Sequence, residues 1–74
     1  MNKSIYWIKK YLEENNIKEF EKEDLLSYYM EKTKKSIHGA RYFLRELLIL
    51  KVLTENENTK KLNADKKRIE VLSK

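Results

Sequence analysis

The sequence predicts a mainly α-helical domain that ends in a small β-hairpin, an α+β fold with three helices and two strands. Three observations support this prediction. Apolar residues recur at helical spacing in three successive stretches of the first two thirds of the chain. After the third stretch, β-branched residues mark two short segments separated by polar residues. The length of 74 residues suits one small domain, so we expect a single unit over residues 1–74.

The first helix is expected over about residues 4–15. Ile5, Ile8 and Leu12 recur at a spacing that places them on one helical face, which we expect to pack in the core. Asn15 and Asn16 then end the helix, because asparagine tolerates the left-handed conformation.

The second helix is expected over about residues 22–32, with Leu25 and Tyr29 on its apolar side. Glu23 and Asp24 lie at its start, where the helix dipole favours negative charge. These acids therefore have a local structural role that requires no ligand.

The third helix, expected over about residues 35–50, divides into two faces when each residue is set about 100° further round the axis. The inner, apolar face contains Ile37, Ala40, Leu44 and Leu47. The outer face is basic and aromatic, and it contains His38, Tyr42, Arg45 and Ile49. A helix that enters the major groove of DNA needs this division.

The hairpin is expected over about residues 52–72, with strands at 53–55 and 68–72. The polar residues 56–67 between them contain no proline or glycine, and we expect an extended, mobile loop there. A final helix competes with the second strand, because a helical spacing also relates Leu62, Asp65, Ile69 and Leu72.

Charge is distributed unevenly around the net value of +5. Residues 13–31 contain seven acids and two lysines, whereas residues 32–51 contain six bases and one acid. This asymmetry indicates a polyanionic partner on one side of the molecule.

Composition argues against several other functions. The chain has no cysteine and one histidine, so neither a disulfide nor a zinc site is expected. Its single glycine leaves no phosphate-cradling loop, and we find no nucleophile–base pair. No run approaches the roughly 18 apolar residues of a membrane span. Lys9 and Lys10 interrupt the apolar residues near the start, so we expect no signal peptide. We expect a cytoplasmic non-enzyme without cofactor, metal or small-molecule substrate.

Residues 44–53 read Leu-Arg-Glu-Leu-Leu-Ile-Leu-Lys-Val-Leu, a helix end that runs directly into a strand. This stretch, with the order of elements around it, resembles the winged helix-turn-helix family, in which three helices precede a two-stranded wing. The chain departs from the family pattern at two positions. Lys51 occupies the bend after the helix, where glycine is usual, and Gly39 lies inside the third helix. Gly39 marks either a looser first turn or a close backbone approach.

The resemblance implies that the outer face of the third helix enters a major groove and that the wing contacts the neighbouring phosphates. The residues implicated in the helix are Lys34, Lys35, Ser36, His38, Arg41, Tyr42 and Arg45. Those implicated in the wing are Lys60, Lys61, Lys66, Lys67 and Arg68. Alternatives remain for two of them: Arg41 can pair with Glu46, and His38 can simply be exposed.

These observations favour a small DNA-binding regulator of transcription that recognises duplex DNA as a monomer or homodimer. The alternative is a protein-interaction module of the kind found in small phage inhibitors and adaptors, built on the same scaffold. Ile49 supports this alternative, since an apolar residue on the outer face suits a dimer contact or a protein partner. Structured RNA is a third ligand that the same basic surface could bind.

Overall fold

The computed structural model describes residues 2–74, which form four helices and three short strands. In chain order these are α1 (Lys3–Asn15), β1 (Glu19–Phe20), α2 (Lys22–Thr33), α3 (Ile37–Ile49), β2 (Leu53–Glu55), β3 (Leu62–Ala64) and α4 (Lys66–Leu72). The fold is therefore mainly helical with a small antiparallel sheet, which is the expected α+β class. The first three helices begin and end within two residues of their expected bounds.

Asparagine and lysine residues define the ends of the first two helices. The Asn2 side chain accepts hydrogen bonds from the backbone N–H groups of Ser4 and Ile5 at 2.7 and 3.4 Å and so caps α1. Asn16 then takes a left-handed conformation, with φ 51°, as expected for the residue that ends this helix. Lys34 ends α2 in the same way, with φ 61°.

The sheet has the order β1-β3-β2, and both pairs are antiparallel. β2 lies where the first strand of the hairpin was expected, but its partner is β3 at Leu62–Ala64 and not the segment 68–72. The connector between α1 and α2 adds a third strand. Phe20 pairs with Leu62, and both are buried against the helices. Because side chains alternate along a strand, Thr54 and Asn63, which pair with each other, belong to the outer face.

One hydrophobic core joins the helices to the inner face of the sheet. Its most completely buried side chains come from both helices and strands: Ile5, Ile8, Leu25, Leu47, Val52, Leu53 and Leu62. Helix periodicity therefore predicted the core-facing side of α1 correctly. None of the helices formed by residues 2–74 has the length and apolar character that a membrane crossing requires.

The strand predicted over residues 68–72 is wrong, because α4 occupies this segment. The Asp65 side chain accepts a hydrogen bond from the backbone N–H of Arg68 at 3.0 Å and so caps the helix. Ile69 is buried, whereas Val71 is 67% exposed. Two residues that would share one face of a strand thus lie on different sides of a helix.

The extended loop predicted over residues 56–67 is also wrong, because the hairpin turns within residues 56–61. The backbone N–H of Asn56 donates to the Lys61 carbonyl at 2.8 Å, and its carbonyl accepts from Lys60 at 2.8 Å. The Asn56 side chain accepts from the backbone of Asn58 and Thr59. Lys60 takes φ 63° and reverses the chain. Asparagine thus replaces glycine or proline as the organiser of this turn.

Candidate nucleic-acid interface

α3 packs against the core through one side. Ala40, Phe43 and Leu47 are buried on that side. The ring of Phe43 stacks on that of Tyr29 in α2, with the centroids 4.0 Å apart and the planes 7° from parallel. The expected inner face omits Phe43 and includes Ile37, which is in fact 37% exposed at the helix start. The packing leaves the opposite side of α3 open to solvent.

The open side of α3 forms one stripe along the helix. Its members are all exposed: His38, Tyr42, Arg45 and Ile49. Tyr42 and Ile49 expose 73% and 68% of their surface. Arg41 is exposed beside the stripe, and within residues 2–74 it forms no salt bridge, so the pairing with Glu46 considered above does not occur. Both arginines are therefore free to bind an anion.

The turn between α2 and α3 brings cations to the amino end of α3. Lys34 is the left-handed residue that ends α2, and Lys35 follows it just before Ser36; both lysines are exposed. Ser36 is the N-cap of α3, but its side chain makes no capping hydrogen bond, and the first turn contains no acid. No side chain of this turn therefore offsets the positive end of the helix dipole.

Gly39 makes room for the side chain of Lys35. A Cβ added at Gly39 would lie 3.2 Å from the Cβ of Lys35 and 3.4 Å from its Cδ. The Lys35 Nζ in turn lies 6.0 Å from the centre of the Tyr29 ring. The nearest neighbour of Gly39 is thus a side chain, and the structure shows no close backbone approach there.

The hairpin contributes a smaller charge than the sequence suggested. Lys60 and Lys61 lie at its turn, but Glu55 and Glu57 belong to the same hairpin. Lys60 is exposed and Lys61 is half-buried. The hairpin by itself is therefore close to neutral, and its lysines can neutralise phosphates only locally.

The other three bases assigned to the wing lie on α4. Lys66, Lys67 and Arg68 form the first turn of this helix. Arg68 is not free, because its Nε donates a hydrogen bond to the Leu50 carbonyl at 2.6 Å. The expected group of five wing bases thus divides into a pair at the turn and a cluster beside the end of α3.

Two lysines that were not predicted from the sequence to bind nucleic acid lie near this second cluster. Lys18 and Lys51 line the same surface depression as Lys66 and Lys67. Lys51 takes φ 62°, as the missing glycine at the bend after α3 led us to anticipate. The place of Lys51 at the bend after α3 could therefore have pointed to its position, whereas nothing in the sequence linked Lys18 to the cluster.

The acidic part of the chain forms a separate network between α1 and α2. The Tyr28 hydroxyl donates a hydrogen bond to Glu14 Oε2 at 2.5 Å, and Lys32 Nζ lies 3.9 Å from Glu14 Oε1. Burial raises the pKa of the Tyr28 phenol, and the hydrogen bond to Glu14 and the charge of Glu14 raise it further. Burial and the nearby Asp24 likewise raise the pKa of Tyr11. These acids have partners or helix-start positions that account for them.

Comparison of the chain with models of known protein families, with curated proteins and with solved structures finds no match in any of the three.

Proposed function

We propose that the chain is a winged helix-turn-helix protein that binds duplex DNA with α3 and the β2–β3 hairpin, as a cytoplasmic regulator of transcription. The main support for the proposal is the exposure of the outer face of α3. This face is exposed along the helix, and Arg41 and Arg45 stand there without a carboxylate partner. An unpaired arginine on an exposed helix is well suited to bind a phosphate group or the edge of a guanine base.

The order of elements supports the same proposal. A three-residue turn, 34–36, joins α2 to α3, and such a turn is typical of a helix-turn-helix unit. The hairpin follows α3 after a bend at Lys51, and β1 pairs with the hairpin at one edge. This order of helix, strand, helix, turn, helix and hairpin resembles that of a winged helix-turn-helix domain, although α4 follows it here.

Different residues would have different roles in the complex. Arg45 and Tyr42 point away from the core, and we assign them to base edges in the major groove. Lys34 and Lys35, with Ser36 and the open amino end of α3, are placed to contact phosphates beside the groove. Lys60 and the hairpin turn would contact the backbone further along. His38 and Arg41 lie between these groups.

Titration of the protein with duplex DNA at several salt concentrations tests this proposal. Lys60→Ala should weaken binding to all sequences alike and reduce the slope of log K against log salt by about 0.9. Arg45→Ala should cost about 1–3 kcal/mol on the preferred sequence and relax the preference at one base pair. Lys3→Ala, which removes an exposed charge from α1, is the matched control. Absence of duplex binding even at low salt would refute the proposal.

A second candidate function is a protein-interaction module, and the exposure of Ile49 favours it. Ile49 and Tyr42 are the two most exposed large hydrophobic residues described, and they share the outer face of α3 with Arg45. Tyrosine and arginine are also common at the energetic centres of protein interfaces. The partner would be either a second copy of the chain or another protein.

The variant Ile49→Lys separates the two candidates. If α3 binds DNA, an added cation on its outer face should preserve or strengthen duplex binding. If α3 binds protein, the same charge should abolish the complex, because it would have to be buried in an apolar contact. For the homodimer, sedimentation should give twice the 9.0 kDa mass of the chain, reverting to one chain in Ile49→Lys.

A further inference from the structure

A shallow depression lies on the outer face of the sheet and reaches Lys51, just beyond the carboxyl end of α3. Its volume is about 460 Å³, and it is lined by Thr54, Asn63 and Ala64 on the strands and by charged residues around them. Thr54 and Asn63 are cross-strand partners and supply a hydroxyl and an amide to the floor. The floor therefore includes two groups that are able to hydrogen-bond.

Four lysines surround this depression, namely Lys18, Lys51, Lys66 and Lys67. Across residues 2–74, none of the four forms a salt bridge. Asp65 is the one acid in the lining, and its side chain already accepts a hydrogen bond from Arg68 at the start of α4. Like charges around one hollow repel each other, and a bound anion would remove that repulsion.

The backbone holds these lysines together from three separate parts of the chain. The backbone N–H of Ala64 donates to the Lys18 carbonyl at 2.8 Å, which fixes the start of β1 beside the end of β3. The next N–H, that of Asp65, donates to the Val52 carbonyl at 2.8 Å and so fixes the segment after Lys51. The cluster is thus a consequence of the fold and not of a run of lysines in the sequence.

We propose that this depression binds the backbone phosphates of a nucleic acid strand without reading its bases. Lysine is a compact point charge that suits phosphate neutralisation, whereas planar recognition of bases favours arginine. The lining contains no aromatic ring on which a base could stack, and Ala64 is its single apolar residue. The site is separate from the outer face of α3 and binds phosphate whether or not α3 reads a duplex.

The position of the depression lets both surfaces contact one strand. α3 ends at Ile49, four residues after Arg45, which is about 6 Å further along the helix axis at 1.5 Å per residue. Leu50 and Lys51 follow directly, and Lys51 lines the depression. A strand that leaves the outer face of α3 at its carboxyl end therefore meets the lysine cluster next.

The test compares two double variants that lose the same charge. Lys18→Gln/Lys67→Gln removes two lysines of the depression, and Lys3→Gln/Lys22→Gln removes two exposed lysines elsewhere. The probe is a single-stranded DNA of mixed sequence, which has no groove for α3 to read. We expect the first variant to lower the salt slope of binding by about 1.4, the loss of two single-strand phosphate contacts. We expect a much smaller change in the control and restoration by Lys18→Arg/Lys67→Arg.

Amide chemical shifts locate the bound strand. Single-stranded DNA should shift the amides of Thr54, Asn63 and Lys66 in a saturable way, and inorganic phosphate at equal phosphate concentration should shift them much less. Equal salt slopes for the two glutamine variants, unshifted amides at the depression, or equal affinity for inorganic phosphate would each overturn the proposal. The duplex preference that Arg45→Ala is expected to lose depends on α3 alone. A failure of the proposed function would therefore appear in the duplex titration and would leave the single-strand result at the depression unaffected.

Discussion

The Nε of Arg68 donates a hydrogen bond to the Leu50 carbonyl at 2.6 Å and so ties α4 to the end of α3. Leu50 is the C-cap residue of α3, where carbonyl groups lack helical partners and the helix dipole is negative. A guanidinium there satisfies one of these carbonyls. A residue that the charge pattern assigned to nucleic-acid binding is thus occupied in joining two helices.

Arg68→Ala should therefore reduce the stability of the fold. We expect a loss of about 1 kcal/mol in the free energy of unfolding, since a hydrogen bond from a charged group is removed at an exposed position. Urea denaturation measures this loss. Lys67→Ala, which removes the neighbouring exposed cation, should leave the midpoint almost unchanged. Equal midpoints for the two variants would contradict the structural role of Arg68.

Ile69 and Val71 should respond very differently to truncation. Ile69 is 3% exposed and Val71 is 67% exposed on the same helix. Ile69→Ala should cost about 2–4 kcal/mol, and Val71→Ala should change stability by less than about 0.5 kcal/mol. If Ile69→Ala does not fold, Ile69→Val should still show a loss of about 1 kcal/mol. Similar losses at both positions would instead indicate the strand in which the two side chains share a face.

Glycine at two of the left-handed lysines should stabilise the protein. Lys51 and Lys60 have φ values of 62° and 63°, a conformation that costs a residue with a Cβ on the order of 1 kcal/mol. We expect Lys51→Gly and Lys60→Gly each to raise the free energy of unfolding by up to about 1 kcal/mol in thermal or urea denaturation. Lys61→Gly, at a neighbouring position without positive φ, should lower it. A loss of stability at Lys51 and Lys60 would mean that their side chains stabilise the fold.

Stability should decline at alkaline pH in part through Tyr28. Burial, with the hydrogen bond and charge of Glu14, raises the pKa of this phenol above its ordinary value of 10.0. The folded state thus holds the proton more tightly than the unfolded chain does. The stabilisation is complete below pH 10.0 and is lost as pH rises from there towards the raised pKa.

NMR titration of the tyrosine rings can follow this proton directly. Tyr28 should ionise later than a free phenol, and Glu14→Gln should bring its pKa back towards the ordinary value by removing a neighbouring charge. Tyr28→Phe should flatten the alkaline decline in stability. An ordinary pKa for Tyr28 in the folded protein would argue against its partial burial and its hydrogen bond to Glu14.

The helices were predictable because their signal is local. The spacing of Ile5, Ile8 and Leu12 specifies a buried face without reference to any other segment. The same reasoning identified the exposed outer face of α3, including Tyr42 and Arg45. It failed at Ile37, where the first turn of the helix extends beyond the core.

The segment after β2 was ambiguous because its apolar residues fit two periods. Leu62, Ile69 and Leu72 match a helical spacing, whereas Ile69 and Val71 are β-branched and match one face of a strand. Pairing decided the outcome: Leu62 lies between Phe20 and Glu55 in the sheet, while Asp65 caps a helix that buries Ile69. Neither the pairing nor the burial can be read from a single stretch of sequence.

By itself, the sequence determined the α+β class, the three main helices and the basic outer face of α3, because periodicity and charge are properties of neighbouring residues. Tertiary structure alone decided that residues 66–72 are a helix, that Arg68 binds the end of α3, and that Lys18 joins Lys51 and Lys66 around one depression. These features depend on backbone hydrogen bonds between segments far apart in the chain, whose partners exist only once the core has formed.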